Sequence, residues 1–284
     1  STRPWPVPEI PEIRAHAERL TAEFEGAVLE TFVPISFTAL KTYAPAPDLA
    51  YGSPLLRVGQ RGKYLALVFE PATFVVHLMQ GGRLKPDEKQ SLQPRGGLAR
   101  GVCADGRALL LSEAGTEKRA GVWVVEELRE GEEPIAHLGP DADSLDAAGV
   151  AERIGDQSKR LHGVLRDQHP MAGIGRRLAN EITHKAKLSP FANASKLSPE
   201  EVERLHAAIQ EAMAESLAYE RGRDDMSSSK ERPGSVHHRK GEPCPVCGDT
   251  VREVAYVKYT VNYCATCQTD GKVLADNTTS KFLK

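Results

Sequence analysis

The feature that most constrains this 284-residue chain is a set of four cysteines near its C-terminal end. They form two Cys-x2-Cys pairs separated by sixteen residues, Cys244 with Cys247 and Cys264 with Cys267. In a reducing compartment this spacing is typical of a tetrahedral zinc site with four thiolate ligands, because each short turn presents two sulfurs to one ion. Four protein ligands leave no position for water, so we predict one structural zinc ion per chain. The alternative, two redox pairs, would need a thioredoxin-like βαβ context that this stretch does not have.

Hydrophobic patterning divides the rest of the chain into a strand-rich half and a helical half. A helix is predicted over 13–24, followed by strand-like runs at 27–35, 55–69, 73–79, 99–104, 107–113 and 122–128. The pattern then becomes helical over 145–154, 159–167, 176–187 and 198–220, and the last helix opens with a capping box at Ser198 and Glu201. The residues between the cysteine pairs alternate like a β-hairpin. We therefore expect an α+β fold with three parts: an N-terminal β-sandwich with a leading helix, a helical domain, and a zinc-finger hairpin with a tail (7–132, 133–232 and 233–284).

Charge is nearly balanced overall but unevenly distributed. The chain has 37 Lys and Arg against 39 Asp and Glu, yet residues 159–187 hold seven basic residues and two acidic ones. Such a stripe favours an anionic partner, although a solvated surface explains it equally well. The sequence has no apolar run near the ~20 residues that span a bilayer and no secretory leader pattern. We therefore expect a cytoplasmic protein of the bacterial cytosol, without a membrane partner.

Five stretches of the sequence point together to one family. They are PEIPEIR (8–14), GQRGKYLAL (59–67), LGPDA (138–142), RDQHPMAGIGRRLANEI (166–182), and the run from HRKGEPCPVCGDTVREV through YCATCQTDGKVLADN (238–277). With these motifs the chain resembles the formamidopyrimidine-DNA glycosylase / endonuclease VIII family. The resemblance implies a β-sandwich, a helix–two-turn–helix domain and a zinc finger. It also implies a base-excision-repair DNA glycosylase with apurinic-site lyase activity, acting as a monomer on damaged DNA.

The resemblance also implies a catalytic set. Pro8 matches the family's N-terminal proline, whose secondary amine attacks C1′ of the damaged nucleotide and forms an iminium. Glu9 matches the glutamate that handles protons at the deoxyribose, and Lys63 matches a hairpin lysine that contacts phosphate and assists elimination. The residue types suit this chemistry, because an α-amine titrates near pH 8 and is partly neutral at physiological pH.

The DNA-binding residues implied by the family include departures from its pattern. Gly173 and Gly175 match the helix–two-turn–helix, but Arg176 stands where the family usually has an asparagine that holds the lesion phosphate. Arg239 and Lys258 are the cations expected to serve the zinc hairpin. Lys258 and Tyr259 occupy the hairpin tip, where the family usually has an arginine, which puts the second, δ-elimination step in doubt.

The residues that match the family's wedge also differ. Family members commonly fill the gap left by a flipped base with methionine, arginine and phenylalanine. Here Gln80, Lys118 and Ala120 stand at or near those positions, and such a set stacks poorly. Either the enzyme prefers single-stranded or unpaired damage, because the cost of unstacking is then already met, or its wedge comes from another loop. The stretch 224–231, which matches the lesion-capping loop, is too generic to choose between purines and pyrimidines.

Residues 1–7 raise a chemical problem for Pro8. While they remain attached, the Pro8 nitrogen is an acylated amide that cannot form an iminium. Three interpretations stay open: translation starts at Val7; the extension is authentic, and Ser1 or Lys63 supplies the amine or the lyase step is absent; or the extension is an expression remnant. The alternative function is therefore a DNA-lesion-binding protein of the same fold without glycosylase or lyase chemistry. A zinc-stabilised protein-interaction module is a third possibility.

Overall fold

The computed structural model describes residues 7–226 and 232–275, and these fold into two compact units. The first unit contains the chain up to His137 and a short segment from Leu217 onwards. The second unit contains Leu138–Ser216 and continues from residue 232. The predictions that concern residues 1–6, 227–231 and 276–284 lie outside the described residues. Within the described ranges, no helix is long and apolar enough to cross a membrane.

The first unit is a two-sheet sandwich preceded by a helix. Its elements are α1 (Ile10–Phe24), β1 (Leu29–Pro34), β2 (Leu55–Arg61), β3 (Tyr64–Phe69), β4 (Thr73–His77), β5 (Gly82–Pro86), β6 (Gly97–Cys103), β7 (Ala108–Glu113) and β8 (Gly121–Val125). One sheet has the strand order β1-β6-β7-β5 and the other has β2-β3-β4-β8. Neighbouring strands in both sheets are antiparallel.

A single buried apolar cluster joins the two sheets and α1. Leu20 and Phe24 of α1 belong to it, with Leu67 from one sheet and Leu98 and Leu111 from the other. The Phe74 ring of β4 lies 5.4 Å from that of Phe32 in β1, a stacked pair. Burial of this apolar surface is the main force that holds such a sandwich together.

Two differences from the predicted strands have simple causes. The run 55–69 is a hairpin of β2 and β3, because Arg61 pairs directly with Tyr64 and Gly62-Lys63 forms the turn. Strand β5 was not predicted, since its sequence GRLKP carries glycine, proline and two cations. It forms because it pairs along its whole length with β7 and buries Leu84. Tertiary pairing therefore overrides weak local propensity here.

The second unit is helical and ends in a small zinc-finger-like hairpin. Its elements are α2 (Ala147–Ile154), α3 (Leu161–Arg166), α4 (Arg176–Lys185), α5 (Pro199–Arg221), β9 (Arg252–Ala255), β10 (Thr260–Tyr263) and α6 (Ala265–Gln268). The last turn of α5 belongs to the first unit. The predicted capping box of α5 is confirmed, because Glu201 N donates to Ser198 Oγ at 3.2 Å and Ser198 N donates to the Glu201 carboxylate at 2.9 Å. The predicted α+β fold class is confirmed.

Candidate nucleic-acid interface and metal centre

The four cysteines of the hairpin converge on one point. The sulfurs of Cys244, Cys247, Cys264 and Cys267 all lie within 4.8 Å of one another. The Cys244–Cys267 and Cys247–Cys264 sulfur distances are 3.9 and 3.4 Å. Four thiolates bound tetrahedrally at about 2.3 Å from zinc would lie about 3.8 Å apart. The donor set therefore fits one metal ion held by four protein ligands.

Groups around the cysteines support thiolate ligands. The Cys244 and Cys247 sulfurs accept backbone N–H groups from Val246 at 3.4 Å and Asp249 at 3.5 Å. The His184 imidazole of α4 lies 3.3 Å from the Cys244 sulfur. Burial lowers the pKa of His184 to about 4, so the neutral ring can donate its N–H to the thiolate. Such hydrogen bonds orient metal ligands and stabilise their charge.

In the first unit, the turns that carry the predicted site residues meet at one end of the sandwich. In the sheet β2-β3-β4-β8, Tyr64 pairs with His77 and His77 pairs with Gly121, so the β2–β3 turn, the end of β4 and the start of β8 are neighbours. Beside these strand ends, the connections 78–81 and 114–120 cross from one sheet to the other. A hydrogen bond joins them, in which Ala114 N donates to Gly81 O at 3.3 Å. We call the β2–β3 turn and the connections 78–81 and 114–120, taken together, the loop end of the sandwich.

Helix α1 directs its N-terminus towards the same loop end. Thr21, in the second half of α1, donates to Val58 O at 3.1 Å. Arg14, nearly two turns earlier, donates through Nε to Gln60 Oε1 at 3.1 Å, and the Gln60 amide donates to Gly62 O at 2.8 Å. Pro8 and Glu9, which precede α1, therefore lie at the loop end, and both are buried.

The PEIPEIR stretch forms a helix start built around a buried carboxylate. Glu9 is the N-cap of α1; its carboxylate accepts from Glu12 N, and Glu9 N donates to the Glu12 carboxylate at 2.9 Å. Pro11 lies in the first turn, where its missing N–H leaves no intrahelical hydrogen bond unmade. The positive end of the helix dipole favours a negative charge at Glu9. The carboxylate next to Pro8 is thus held in one place by the fold.

Lys63 lies in the two-residue turn between β2 and β3, where Gly62 adopts a positive φ of 54°. The lysine is half-buried and close enough to His77 to affect its titration. Burial lowers the pKa of His77 to about 4, and the charge of Lys63 contributes to this lowering. The neutral His77 ring accepts the Met79 N–H at 3.0 Å and so fixes the start of the next connection.

Gln80 and Lys118 lie on the two connections of the loop end. Gln80 is half-buried and follows Met79, which has a positive φ of 53°, whereas Lys118 is exposed and has a φ of 47°. The buried Glu113 carboxylate accepts from the N–H groups of Arg119 and Ala120 at 2.9 and 2.8 Å and anchors the second connection. Ala120 is completely buried. This position therefore contributes to the core and presents no wedge side chain.

In the second unit, Gly173, Gly175 and Arg176 form a tight turn before α4. The Gln168 amide organises it, accepting from Gly173 N at 2.8 Å and donating to Ile174 O at 2.9 Å. Gly173 has a φ of +99°, which only glycine adopts readily. Gly175 is the N-cap of α4 and has no side chain, so an anion can approach this helix N-terminus closely.

A stack of arginine and aromatic side chains, not predicted from the sequence, fixes the tip of the hairpin. Tyr256 and Tyr259 stack with their ring centroids 4.7 Å apart, and the Arg166 guanidinium lies 3.9 Å from the Tyr259 centroid. The Arg160 guanidinium lies 3.8 Å from the Phe191 centroid and donates to the Tyr256 hydroxyl at 3.1 Å. We call these five residues the arginine–aromatic stack.

The charges of Arg166 and Tyr259, two members of this stack, influence the pKa of Arg176. Burial lowers the pKa of Arg176, the neighbouring charge of Arg166 lowers it further, and Tyr259 opposes both effects. The charge of Arg166 therefore acts on Arg176, which directly follows the turn at Gly173–Gly175. In the sequence, the Tyr-x2-Tyr spacing at the hairpin tip is the pattern that could have indicated this stack. Only the fold, however, brings these rings to Arg166.

A buried amide network connects α4 to the hairpin and was also missed. Asn180 is completely buried; its oxygen accepts from His162 Nε2 at 2.9 Å and from Asn262 N at 3.1 Å. Its amino group donates to His237 Nδ1 at 2.8 Å. Burial lowers the pKa of His162 to about 3, so that ring is neutral and can act as the donor. Asn180 thus satisfies groups from three separate segments.

The two predicted cations of the hairpin region differ in their surroundings. The Arg239 side chain is partly engaged, since it pairs with the Glu242 carboxylate at 3.2 Å and donates to Gly234 O at 2.9 Å. Lys258 is exposed in the turn closed by Tyr256 N and Tyr259 O at 2.9 Å. Lys258 is therefore the more accessible cation for a phosphate.

Comparison with known proteins identifies the family to which this chain belongs. The model of the formamidopyrimidine-DNA glycosylase N-terminal domain matches residues 7–114, and the model of the H2TH domain of the same enzymes matches 138–228. The formamidopyrimidine-DNA glycosylase of Thermus thermophilus is 30% identical over 281 residues, which cover 93% of this chain and 100% of that protein. The chain belongs to the formamidopyrimidine-DNA glycosylase family. The matched regions of the family models contain Pro8, Glu9, Lys63, Gln80, Gly173, Gly175 and Arg176, whereas the four cysteines lie beyond both.

Other members and solved structures of the family extend the comparison. An uncharacterised formamidopyrimidine-DNA glycosylase-like protein of Mycobacterium tuberculosis is 43% identical over 149 residues, covering 52% of this chain and 94% of that protein. The crystal structure of the MutM (Fpg) protein from Thermus thermophilus superposes with a TM-score of 0.77 at 28% identity, covering 92% and 98% of the two chains. The Lactococcus lactis enzyme bound to DNA with an AP site gives 0.79 at 18% identity, covering 92% and 99%, and supports the fold alone.

Proposed function

We propose that this chain is a DNA-repair glycosylase that removes a damaged base and then cleaves the strand as an apurinic-site lyase. The observation that carries the proposal is the placement of Pro8 and Glu9 at the start of α1, at the same end of the sandwich as Lys63. Membership of a glycosylase family supports it.

The chemistry needs one amine, one carboxylate and one cation. The neutral Pro8 amine attacks C1′, the bond between C1′ and the damaged base breaks, and the base leaves with the bonding electron pair and a proton. The C1′–O4′ bond then opens, O4′ takes a proton, and the nitrogen lone pair forms the iminium with C1′. The resulting iminium withdraws electrons, so C2′ loses a proton, the C3′–O bond breaks, and water later releases the sugar fragment. Glu9 moves protons at the deoxyribose, while Lys63 binds the adjacent phosphate and assists the elimination.

This mechanism requires Pro8 to be the first residue of the active form. Borohydride reduces an iminium to a stable amine, so a chain beginning at Pro8 should be trapped covalently on DNA that contains an abasic site. A chain that keeps residues 1–7 should not be trapped at Pro8, and peptide mass mapping would identify any other amine, such as Ser1 or Lys63. Absence of trapping for both forms, on abasic and oxidised-base DNA alike, would contradict the lyase proposal.

A second candidate function is lesion binding without base removal. The observation that favours it is the burial of both Pro8 and Glu9, which separates them from solvent in this structure. This alternative would be supported if a chain beginning at Pro8 bound abasic DNA tightly, yet neither formed an adduct with it nor cleaved it.

The remaining parts of the chain are proposed to bind DNA and to position the hairpin. The four cysteines hold one structural zinc ion, and Gly173, Gly175, Arg176, Arg239 and Lys258 contact phosphates. The protein acts as a monomer on damaged DNA, with segments 7–132, 133–232 and 233–284 as sandwich, helical domain and finger. A preference for single-stranded or unpaired damage is expected if Gln80 and Lys118 alone fill the gap left by the flipped base.

A further inference from the structure

The turn that follows β1 carries an aromatic side chain that lies outside the motifs shared with the family. Ala39 N donates to Ser36 O at 3.2 Å, closing a β-turn with Phe37 at its second position. Phe37 is fully exposed, at 101% of its reference area. An isolated exposed apolar residue needs no explanation by itself. Phe37 is significant because of its position in the sandwich.

Backbone hydrogen bonds place the Phe37 turn beside the loop end. Before the turn, the N–H groups of Ile35 and Ser36 both donate to Leu98 O, at 2.9 and 3.0 Å, next to the start of β6. After it, Val122 N donates to Ala39 O at 2.8 Å, at the start of β8. A side chain at Gly121 would come within 3.1 Å of Ala39 O. The turn therefore adjoins the start of β8, directly after the connection that carries Lys118.

We propose that Phe37 stacks on a DNA base next to the lesion and supplies the wedge that Gln80, Lys118 and Ala120 do not. This inference rests on the proposed function. Extruding a nucleotide leaves a gap and an unstacked neighbour, which apolar and aromatic side chains can cover. Ala120 is buried, and Gln80 and Lys118 have no ring to stack. Three lysines lie on segments at this end of the sheet: Lys41 beside the start of β8, Lys118 in the connection before it, and Lys63 in the β2–β3 turn. Their charges suit the phosphates on either side of such a base.

The same connection provides a matched control. Tyr43 is as exposed as Phe37, at 100%, and follows Thr42, whose hydroxyl accepts from Val124 N at 2.8 Å. Val124 lies three residues beyond Gly121 in β8, a distance of about 10 Å along a strand. Tyr43 therefore lies towards the opposite end of the sandwich, away from the proposed DNA contact.

The experiment measures binding of the full chain to DNA with a stable tetrahydrofuran analogue of the abasic site, as a duplex and as a single strand. Loss of one base–aromatic stack should weaken duplex binding by Phe37→Ala about tenfold. Binding to the single strand should change much less, because no gap has to be filled there. Phe37→Trp should keep duplex affinity, and Tyr43→Ala should match the unsubstituted chain on both DNAs. A 2-aminopurine beside the analogue should change its fluorescence with the unsubstituted chain and not with Phe37→Ala.

The outcomes separate this inference from the proposed function. Equal duplex affinities for Phe37→Ala and the unsubstituted chain, or equal losses for Phe37→Ala and Tyr43→Ala, would overturn the role of Phe37 while leaving lesion binding intact. If the unsubstituted chain binds neither DNA better than undamaged DNA, the proposed function is wrong and the role of Phe37 falls with it. Thermal unfolding of Phe37→Ala at an unchanged temperature would show that the variant is folded.

Discussion

The loop end of the sandwich is proposed to carry the chemistry, whereas the arginine–aromatic stack fixes the tip of the hairpin that is proposed to meet DNA, and the two regions are built by different means. At the loop end, Pro8, Glu9 and Lys63 are placed by a capping box and a two-residue turn, both of which are local structures. In the second unit, Arg160 and Arg166 are held against rings of Phe191 and Tyr259, which come from distant parts of the sequence. The proposed reactive groups are thus fixed by short-range backbone geometry, and the tip of the hairpin by long-range packing.

This difference has an energetic reason. A hairpin turn and a helix cap fix only a few residues at small entropic cost, so they need little support from the rest of the fold. The finger of the second unit has a small apolar core of its own, in which the cysteines take part. Small domains of this kind usually depend on a metal for stability. The two regions should therefore respond differently to the loss of metal, of a catalytic group or of a buried hydrogen bond.

The largest effect should follow removal of the metal. Structural zinc contributes about 10–16 kcal/mol of apparent binding energy in isolated fingers, and this energy is folding energy. Cys247→Ser, or prolonged chelation, should unfold the hairpin and abolish tight DNA binding, while α1 and the sandwich remain folded by circular dichroism and hydrogen exchange. Cys103→Ala is the control, since Cys103 lies in the sandwich core. Clearly less than one zinc per chain in protein purified without chelator would contradict the site.

The next largest effect should come from Glu9. Glu9→Gln in the form that begins at Pro8 should lower the single-turnover rate by about 10²–10⁴-fold, because it removes a group proposed to transfer protons. DNA affinity should stay nearly unchanged. Glu12→Gln is a matched control, as it neutralises the other carboxylate of the same capping box. If both variants slow the reaction equally, the effect belongs to the helix start and not to proton transfer at Glu9.

Asn180 tests the long-range packing of the second unit. Asn180→Ala leaves groups of His162, His237 and Asn262 without this partner, and each buried unsatisfied group costs about 1–3 kcal/mol. We expect the unfolding free energy of this unit to fall by roughly 3 kcal/mol, measured by denaturant titration. Thr183→Val should cost far less, because the Thr183 hydroxyl donates only to carbonyls within α4 in this structure. If Asn180→Ala and Thr183→Val lower the unfolding free energy by similar amounts, the Asn180 network makes no specific contribution to stability.

The smallest effects concern single phosphate contacts. Replacing Lys63, Arg176, Arg239 or Lys258 with alanine should each lower the slope of log affinity against log salt by roughly 1, because one counterion fewer is released on binding. Arg239 should give the weakest change, since Glu242 already neutralises part of its charge. Four unchanged slopes would show that DNA binds elsewhere.

Several features of the fold follow from local sequence. Helices α2 to α5 lie within a few residues of their predicted limits, because capping and 3.6-residue periodicity are local signals, whereas the short α6 was not predicted. The cluster of four cysteines follows from spacing alone, since two Cys-x2-Cys turns on one hairpin bring four sulfurs together. The PEIPEIR stretch likewise encodes its own cap at Glu9 and Glu12.

Other features required the tertiary structure. Strand β5 forms against its propensity because β7 offers it hydrogen bonds and a buried site for Leu84. The burial of Ala120, the exposure of Phe37 and the three partners of Asn180 each depend on segments far away in sequence, and no local pattern encodes such contacts. The sequence by itself determined most of the elements, the cluster of four cysteines and the family. Only the packed structure decided which side chains face solvent at the loop end and which arginines are held at the hairpin tip, because burial and stacking are properties of neighbours that the chain brings together only when it folds.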